Sequence, residues 1–231
     1  VYNQDAHNYP RAKDLKPPLT IELLLQEAAL FSEVESKYDE PVLYGVTDGK
    51  AVGTYLEHKF KAYLAGNYQY ETGNSASGID FLNLEIDMKV TSIKQPQSSC
   101  PFKSARQKIY GLGYNLLIFV YDKFDDIKNQ TGRLNMLHTI FVHKERTADY
   151  QTTKGILDIL KRDGNLDDLL AFIEDKNLPV DEIEARNIAE AILKTPPLQG
   201  YLTISNALQW RLQYSRVIQK AGEIDGLYKV R

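Results

Sequence analysis

Asp80, Asp87 and Lys89 are the residues whose types and spacing most readily support chemistry. Asp87 and Lys89 lie in Leu84-Glu85-Ile86-Asp87-Met88-Lys89-Val90-Thr91, where apolar and polar residues alternate with period two. As a strand, this stretch turns Leu84, Ile86, Met88 and Val90 to one face and Glu85, Asp87, Lys89 and Thr91 to the other. Asp87 and Lys89 then stand about 7 Å apart along that face. A short hairpin-like turn at Phe81-Leu82-Asn83 can return Asp80 to their side. Two carboxylates and an ammonium would thus meet beside an apolar strand, where burying charge is costly unless a metal or partner compensates. Hard carboxylate oxygens suit Mg²⁺, which takes one or two carboxylates plus waters and a phosphate oxygen. Such an ion acidifies a bound water and stabilises charge building on phosphorus. The lysine can orient that water, help depress its pKa and hold the phosphate. By itself the D-x(6)-D-x-K string also fits a surface strand of alternating charges, so the surrounding elements must decide.

Those elements can be laid out along the chain. Residues 1 to 18 are polar, end in Lys16-Pro17-Pro18 and read as an arm or linker. Thr20 is placed to cap a helix from Ile21 to about Phe31. Tyr38 to Thr47 mixes strand and loop character. Thr47-Asp48-Gly49-Lys50 is turn chemistry leading into a helix over about Ala51 to Leu64, which Gly66 would stop. The polar Glu71 to Gly78 stretch precedes Asp80. After the alternating strand, Gln95 to Ser99 reads as a loop and Phe102 to Leu112 as a helix ended by Gly111 and Gly113. The apolar run Asn115 to Tyr121 predicts a buried central strand, with Leu134 to Val142 beside it. Beyond Arg146, amphipathic spacing predicts helices over Asp149–Lys161, Leu166–Glu174 and Pro179–Leu193. Pro196-Pro197 breaks the last of these, and a final helix is expected over Ser205–Lys220. The organisation expected is an α/β core with an N-terminal helical arm over residues 1–147 and a mostly helical C-terminal subdomain over 148–231.

Composition narrows the classes. A hydrophobic fraction of 43% and a charged fraction of 26% are ordinary for a globular protein. No apolar run approaches the ~20 residues of a membrane span, and no secretory-signal pattern opens the sequence. The lone Cys100 excludes an internal disulfide and lies far from any histidine in sequence, so a reducing, cytoplasmic setting is expected without a thiol nucleophile. His58, His138 and His143 are isolated, and no GxxxxGK[ST] run supports ATP-driven action.

Net charge is −3, which does not favour a protein that merely coats nucleic acid. Two windows nevertheless hold no acid: Met88 to Tyr121, with Lys89, Lys94, Lys103, Arg106 and Lys108, and Tyr201 to Gly222, with Arg211, Arg216 and Lys220. They fit phosphate contacts at chosen places, and also arise by chance in short windows. In the first, Lys94, Gln95, Gln97 and Ser98 follow the catalytic strand directly and could contact bases or phosphates; a solvated loop is the alternative. In the second, Gln209, Arg211, Gln213 and Arg216 belong to the expected final helix, whose polar side would carry side chains that pair with guanine and adenine. A tail ending so is analogous to a helix-turn-helix or winged-helix arrangement.

The sequence resembles the PD-(D/E)xK nuclease superfamily, most closely its type II restriction endonucleases, over roughly residues 45 to 122. The resemblance rests on Ser77-Gly78-Ile79-Asp80, on the strand Leu84 to Ser92, and on the preceding helix with Gly53-Thr54-Tyr55-Leu56-Glu57. Helix, aspartate, acid-x-lysine strand, helix and further strand follow in the superfamily's order. The resemblance implies a mixed central sheet flanked by helices, with Asp80 and Asp87 as metal ligands and the Met88 carbonyl completing the set. Lys89 would be the catalytic lysine, and Glu57 would act through water or at a second metal position, or be merely a solvated helix residue. Ile79 stands where the motif's naming proline would be, a common replacement. Glu85, on the face of Asp87, is a rival ligand without a lysine two residues on.

The resemblance further implies Mg²⁺-dependent, sequence-specific cutting of double-stranded DNA with 5′-phosphate products. A two-fold homodimer suits palindromic targets, although monomeric members exist. A companion methyltransferase in a bacterial restriction system would be the partner. Two other readings stay open: a structure-specific repair or recombination nuclease with the same centre, and a DNA-binding regulator without catalysis.

Overall fold

The computed structural model describes residues 16–73, 78–100, 103–205 and 210–231. Two N-terminal helices come first. Helix α1 (Ile21–Glu35) starts where Thr20 Oγ1 accepts from the Leu23 amide at 3.3 Å, and runs a turn past the predicted end. Helix α2 (Gly49–Asn67) is capped by Asp48 and passes straight through Gly66. Between them the chain forms only a 3₁₀ turn at Pro41–Leu43 and a single bridge from Glu40 to Gly132.

The main sheet has the order β1-β3-β4-β7, with β1 (Ile86–Ser92) parallel to β3 (Asn115–Asp126). Strands β4 (Thr131–Val142) and β7 (Leu227–Lys229) continue it antiparallel, so the sheet is mixed. The continuous apolar run of β3 is explained by cover on both faces. Leu117, Phe119 and Tyr121 pack with Ile86, Met88, Phe31 and Phe60 under α1 and α2. Leu116, Ile118 and Val120 pack the other way, against Leu212, Tyr214 and Val217. The Phe31, Phe60 and Phe119 rings meet at centroid distances of 4.9, 5.2 and 6.2 Å.

A second, three-stranded antiparallel sheet has the order β2-β6-β5, formed by β2 (Gln97–Cys100), β5 (Thr203–Ile204) and β6 (Trp210–Gln213). It corrects the sequence-based expectation at two places. Gln97 to Ser99, expected as loop, are strand. Of the expected final helix Ser205–Lys220, residues 210–220 form strand β6 followed by the six-residue helix α7 (Ser215–Lys220), and 206–209 lie outside the described residues. Leu212 and Tyr214 are buried while Arg211 and Gln213 are exposed, so this segment follows a period of two. The helix expected over Phe102–Leu112 is also reduced, to α3 (Gln107–Tyr110). It ends at Gly111, whose φ of +93° and position 2.6 Å from the Lys144 carbonyl (for a built Cβ) leave no room for a side chain.

The three amphipathic helices predicted after residue 146 are present as α4 (Tyr150–Lys161), α5 (Leu166–Asp175) and α6 (Glu182–Lys194). They share an aliphatic core that includes Ile156, Leu169, Ile173, Ile188 and Ile192. Among the described residues beyond 194, the elements are β5, β6, the short helix α7 and β7, so the C-terminal part expected to be mostly helical over 148–231 combines helices α4 to α7 with three strands. Its strands return to earlier parts of the fold, β6 to β2 and β7 to β4. Among the described residues, no helix is long and apolar enough to cross a membrane.

Candidate active site

Asp80 is positioned by a tight turn. The Phe81 amide donates to the Ile86 carbonyl at 2.9 Å, and the Ile86 amide donates back at 3.2 Å, across a 3₁₀ turn at Leu82–Leu84. Glu85 closes the turn in the left-handed region, φ +53°. It therefore leaves the strand, and its carboxylate pairs with Lys144 at 2.8 Å. That takes Glu85 away from Asp87, with which it would have shared a strand face. The turn brings Asp80 back along β1, an edge strand, where the Met88 amide donates to Asp80 Oδ2 at 2.7 Å.

Four charged groups gather here. Asp80 Oδ1 holds the ammonium of Lys61, from α2, and Asp87 Oδ2 lies 2.7 Å from Lys89 Nζ. Asp87 is only 4% exposed, and its Oδ2 finds no hydrogen-bond donor in good geometry beyond that ion pair. Burial pushes the Asp87 carboxyl up to about 7, Lys89 opposing and the neighbouring Asp80 carboxylate adding to the rise. Burial also works against the charge of Asp80, but the Lys61 ammonium, Asp87 and the Met88 amide together outweigh it and hold Asp80 below the ordinary carboxylate range. Lys89 is desolvated as well, yet the carboxylates of Asp87 and Asp80 raise its pKa and keep it protonated. Glu57 is raised by burial first and by Asp80 second, with Lys89 and Lys61 pulling the other way, so it senses the same centre.

Two neighbouring carboxylates, one of them buried with the Lys89 ammonium as its charged partner, form a hard-oxygen donor set that fits Mg²⁺ and not zinc. Among the described residues no group of three or more His, Cys, Asp or Glu side chains is clustered to hold a metal. Any ion here would draw its remaining ligands from main chain, water and a phosphate oxygen, as Mg²⁺ commonly does.

A cleft of about 980 Å³ opens beside this corner. It is lined by Gly53 and Glu57 of α2, by Lys89 and Val90 of β1, and by Gln97, Ser98, Ser99 and Arg211 of the second sheet. Helix α2 approaches β1 closely at Gly53, where a built Cβ would stand 3.9 Å from Val90. Lys50, Lys89, Lys94, Lys123 and Arg211 outnumber Glu57 and Asp125 along the cleft wall, so its field attracts phosphate.

Of the other residues singled out in the sequence, Lys94, Gln95, Gln97, Ser98 and Arg211 line this cleft. Lys94 also stands 3.7 Å from Asp122, and the Ser98 hydroxyl bonds that of the buried Tyr214. Gln213 is exposed on β6, two residues from Arg211. Lys103 precedes α3, and Arg106 is held by Glu184 of α6 at 2.7 Å. Arg216 lies 3.9 Å over the Tyr150 ring and bonds Thr203, so it is committed to packing. Gln209 lies outside the described residues. Sequence reasoning passed over Lys61, although it follows Glu57 by one helical turn and so shares its face. Ser99, in the same polar stretch as Lys94 to Ser98, pairs with Arg211 across the second sheet.

A family model described as "Type II restriction enzyme NspV" matches residues 18–229. A curated relative of the same description, from Nostoc sp. (strain ATCC 29411 / PCC 7524), is 68% identical over 212 residues, covering 92% of this chain and 96% of the relative. No solved structure matches the chain. With a family model spanning nearly all of it and a relative this similar end to end, the chain belongs to the type II restriction enzyme NspV family.

Proposed function

We propose that this protein is a type II restriction endonuclease that cuts double-stranded DNA at a specific sequence, by Mg²⁺-dependent attack of water on phosphorus. The observation that carries the reading is the Asp80–Asp87–Lys89 corner at the wall of a cationic cleft, in a chain of this family. The carboxylates of Asp80 and Asp87 and the Met88 carbonyl would hold Mg²⁺. When bound, the ion lowers the pKa of a coordinated water and offsets the charge of the reacting phosphate. Lys89, kept protonated by its two carboxylate neighbours, acts as donor and cation: it holds a phosphate oxygen and orients the attacking water. It is therefore not the base. Lys61 keeps Asp80 ionised and aimed, while Glu57 acts on the same centre through water.

Each chain carries one such corner, and cutting both strands within one site takes two, which favours a two-fold homodimer. Products carry 5′-phosphates. The physiological setting is the bacterial cytoplasm, with a companion methyltransferase shielding the host's own sites. A repair nuclease of the PD-(D/E)xK kind would share this chemistry, but nothing in the cleft selects branched DNA over duplex.

The test is incubation of purified protein with long unmethylated phage DNA in Mg²⁺ or in EDTA, beside the Lys89→Ala variant. Discrete fragments are expected with Mg²⁺ and wild-type protein alone, and sequencing their ends gives the target. Intact DNA under every divalent ion tried would overturn the reading; a smear would overturn its sequence specificity.

A further inference from the structure

We infer that the β2–β6 ribbon is the element that reads base edges in the major groove, with Arg211 and Gln213 as its principal specificity-determining residues. This deepens the proposed function and rests on it. The two acid-free windows of the sequence, about a hundred residues apart, hydrogen-bond to each other in this ribbon, with Gln97 opposite Gln213 and Ser99 opposite Arg211. One face is committed to the interior: Cys100, Leu212 and Ile204 are buried, and Ser98 is tied to Tyr214. Gln97, Ser99, Arg211 and Gln213 alternate with these and lie on the other face.

The chemistry of that outer face is what a groove requires. Among the described residues, the side chains of Arg211, Gln213 and Gln97 make no hydrogen bond or ion pair, whereas Arg106 and Arg216 are both engaged. Arginine pairs bidentately with guanine O6 and N7 and glutamine with adenine N6 and N7, the edges that the major groove displays. Position agrees with chemistry. Arg211, Gln97 and Ser99 line the same cleft as Lys89, so a duplex whose phosphate reaches Lys89 presents nearby base pairs to the ribbon. The occupant is therefore DNA, chosen by charge and by continuity with the catalytic corner.

The test uses the Lys89→Ala protein with Ca²⁺ in place of Mg²⁺, so that binding is read in the absence of cleavage. Its probes are a duplex carrying the site read from the phage fragment ends and the same duplex with that site scrambled, each at two salt concentrations. Adding Arg211→Ala should weaken binding to the site duplex by roughly 5- to 150-fold, the range for one bidentate base contact, and barely change binding to the scrambled one. Gln213→Ala should do the same at a different base pair, and neither should alter the salt dependence. Equal losses on both duplexes with a shallower salt slope would make these residues phosphate contacts and overturn the inference. Unchanged binding to both would place the ribbon away from the bases and overturn it too. Each of those results leaves cleavage by the wild-type enzyme standing, whereas failure of the wild type to cut phage DNA would remove the proposed function itself.

Discussion

Around Asp87 the chain buries charge, whereas between α4, α5 and α6 it buries aliphatic carbon. The first arrangement costs stability: a carboxyl 4% exposed, with an oxygen lacking a well-placed donor, is held in place by the turn at Phe81 and by β1. The second gains stability from Ile156, Leu169, Ile173, Ile188 and Ile192, and its composition is acidic, with eleven acids, of which Asp149 is buried, against six bases over residues 148–200. An acid surplus repels phosphate, so these three helices offer DNA a less favourable field than the cleft beside Lys89 does. The lesson is a division of labour. The cationic side of the molecule holds the buried charges proposed for the chemistry, and the acidic helices supply an aliphatic core.

The sharpest way to break this comparison is Asp87→Asn. It should lower the cleavage rate by about 10²- to 10³-fold or more, as loss of a group acting at the reacting centre does. The thermal midpoint should fall as well, because the desolvated Lys89 ammonium loses the carboxylate paired with it. An unchanged cleavage rate per folded molecule would show that Asp87 is structural. Ile188→Ala should separate stability from activity. With Ile188 fully buried, the cavity should cost about 2–5 kcal/mol by denaturant unfolding, while cleavage per folded molecule stays near wild type.

A smaller, graded effect separates the two regions by pH. The folded Asp87 carboxyl titrates near 7, above its ordinary value of 3.8, so the folded state binds its proton more tightly than the unfolded chain. Its contribution to stability is complete below about pH 4 and is lost as pH rises towards 7. Asp87→Asn should flatten that part of the stability–pH curve. Because a metal ligand must be deprotonated, the rise in thermal midpoint produced by Mg²⁺ should be larger at pH 8 than at pH 6. An equal rise at both would place the ion elsewhere. The smallest effect is expected from Arg106→Ala, which removes a half-exposed ion pair to Glu184. Stability should change by less than about 1 kcal/mol, and affinity for DNA should not change. A marked loss of affinity would return Arg106 to the DNA-facing set.

Much of the catalytic corner was legible because its signals are local. The period-two pattern of β1, the polar turn before it and the apolar run of β3 each depend on neighbours within about ten residues. The three helices α4 to α6 were legible for the same reason, since their apolar spacing repeats with helical period. Glu85 was misread as part of the strand because nothing in its type announces a left-handed conformation; the turn imposes it. Segment 205–220 was misread because Leu208, Leu212 and Ser215 have helical spacing, while Arg211-Leu212-Gln213-Tyr214 also alternates.

What the sequence determined by itself was the chemistry: two carboxylates and a lysine at a spacing that one strand and one turn bring together. What only the tertiary structure decided was that Gln97, Ser99, Arg211 and Gln213 share one face of one sheet. Strands β2 and β6 are four residues each, too short and too polar to declare themselves. Their backbone donors and acceptors are satisfied by one another across more than a hundred residues of chain, and no local pattern records that pairing.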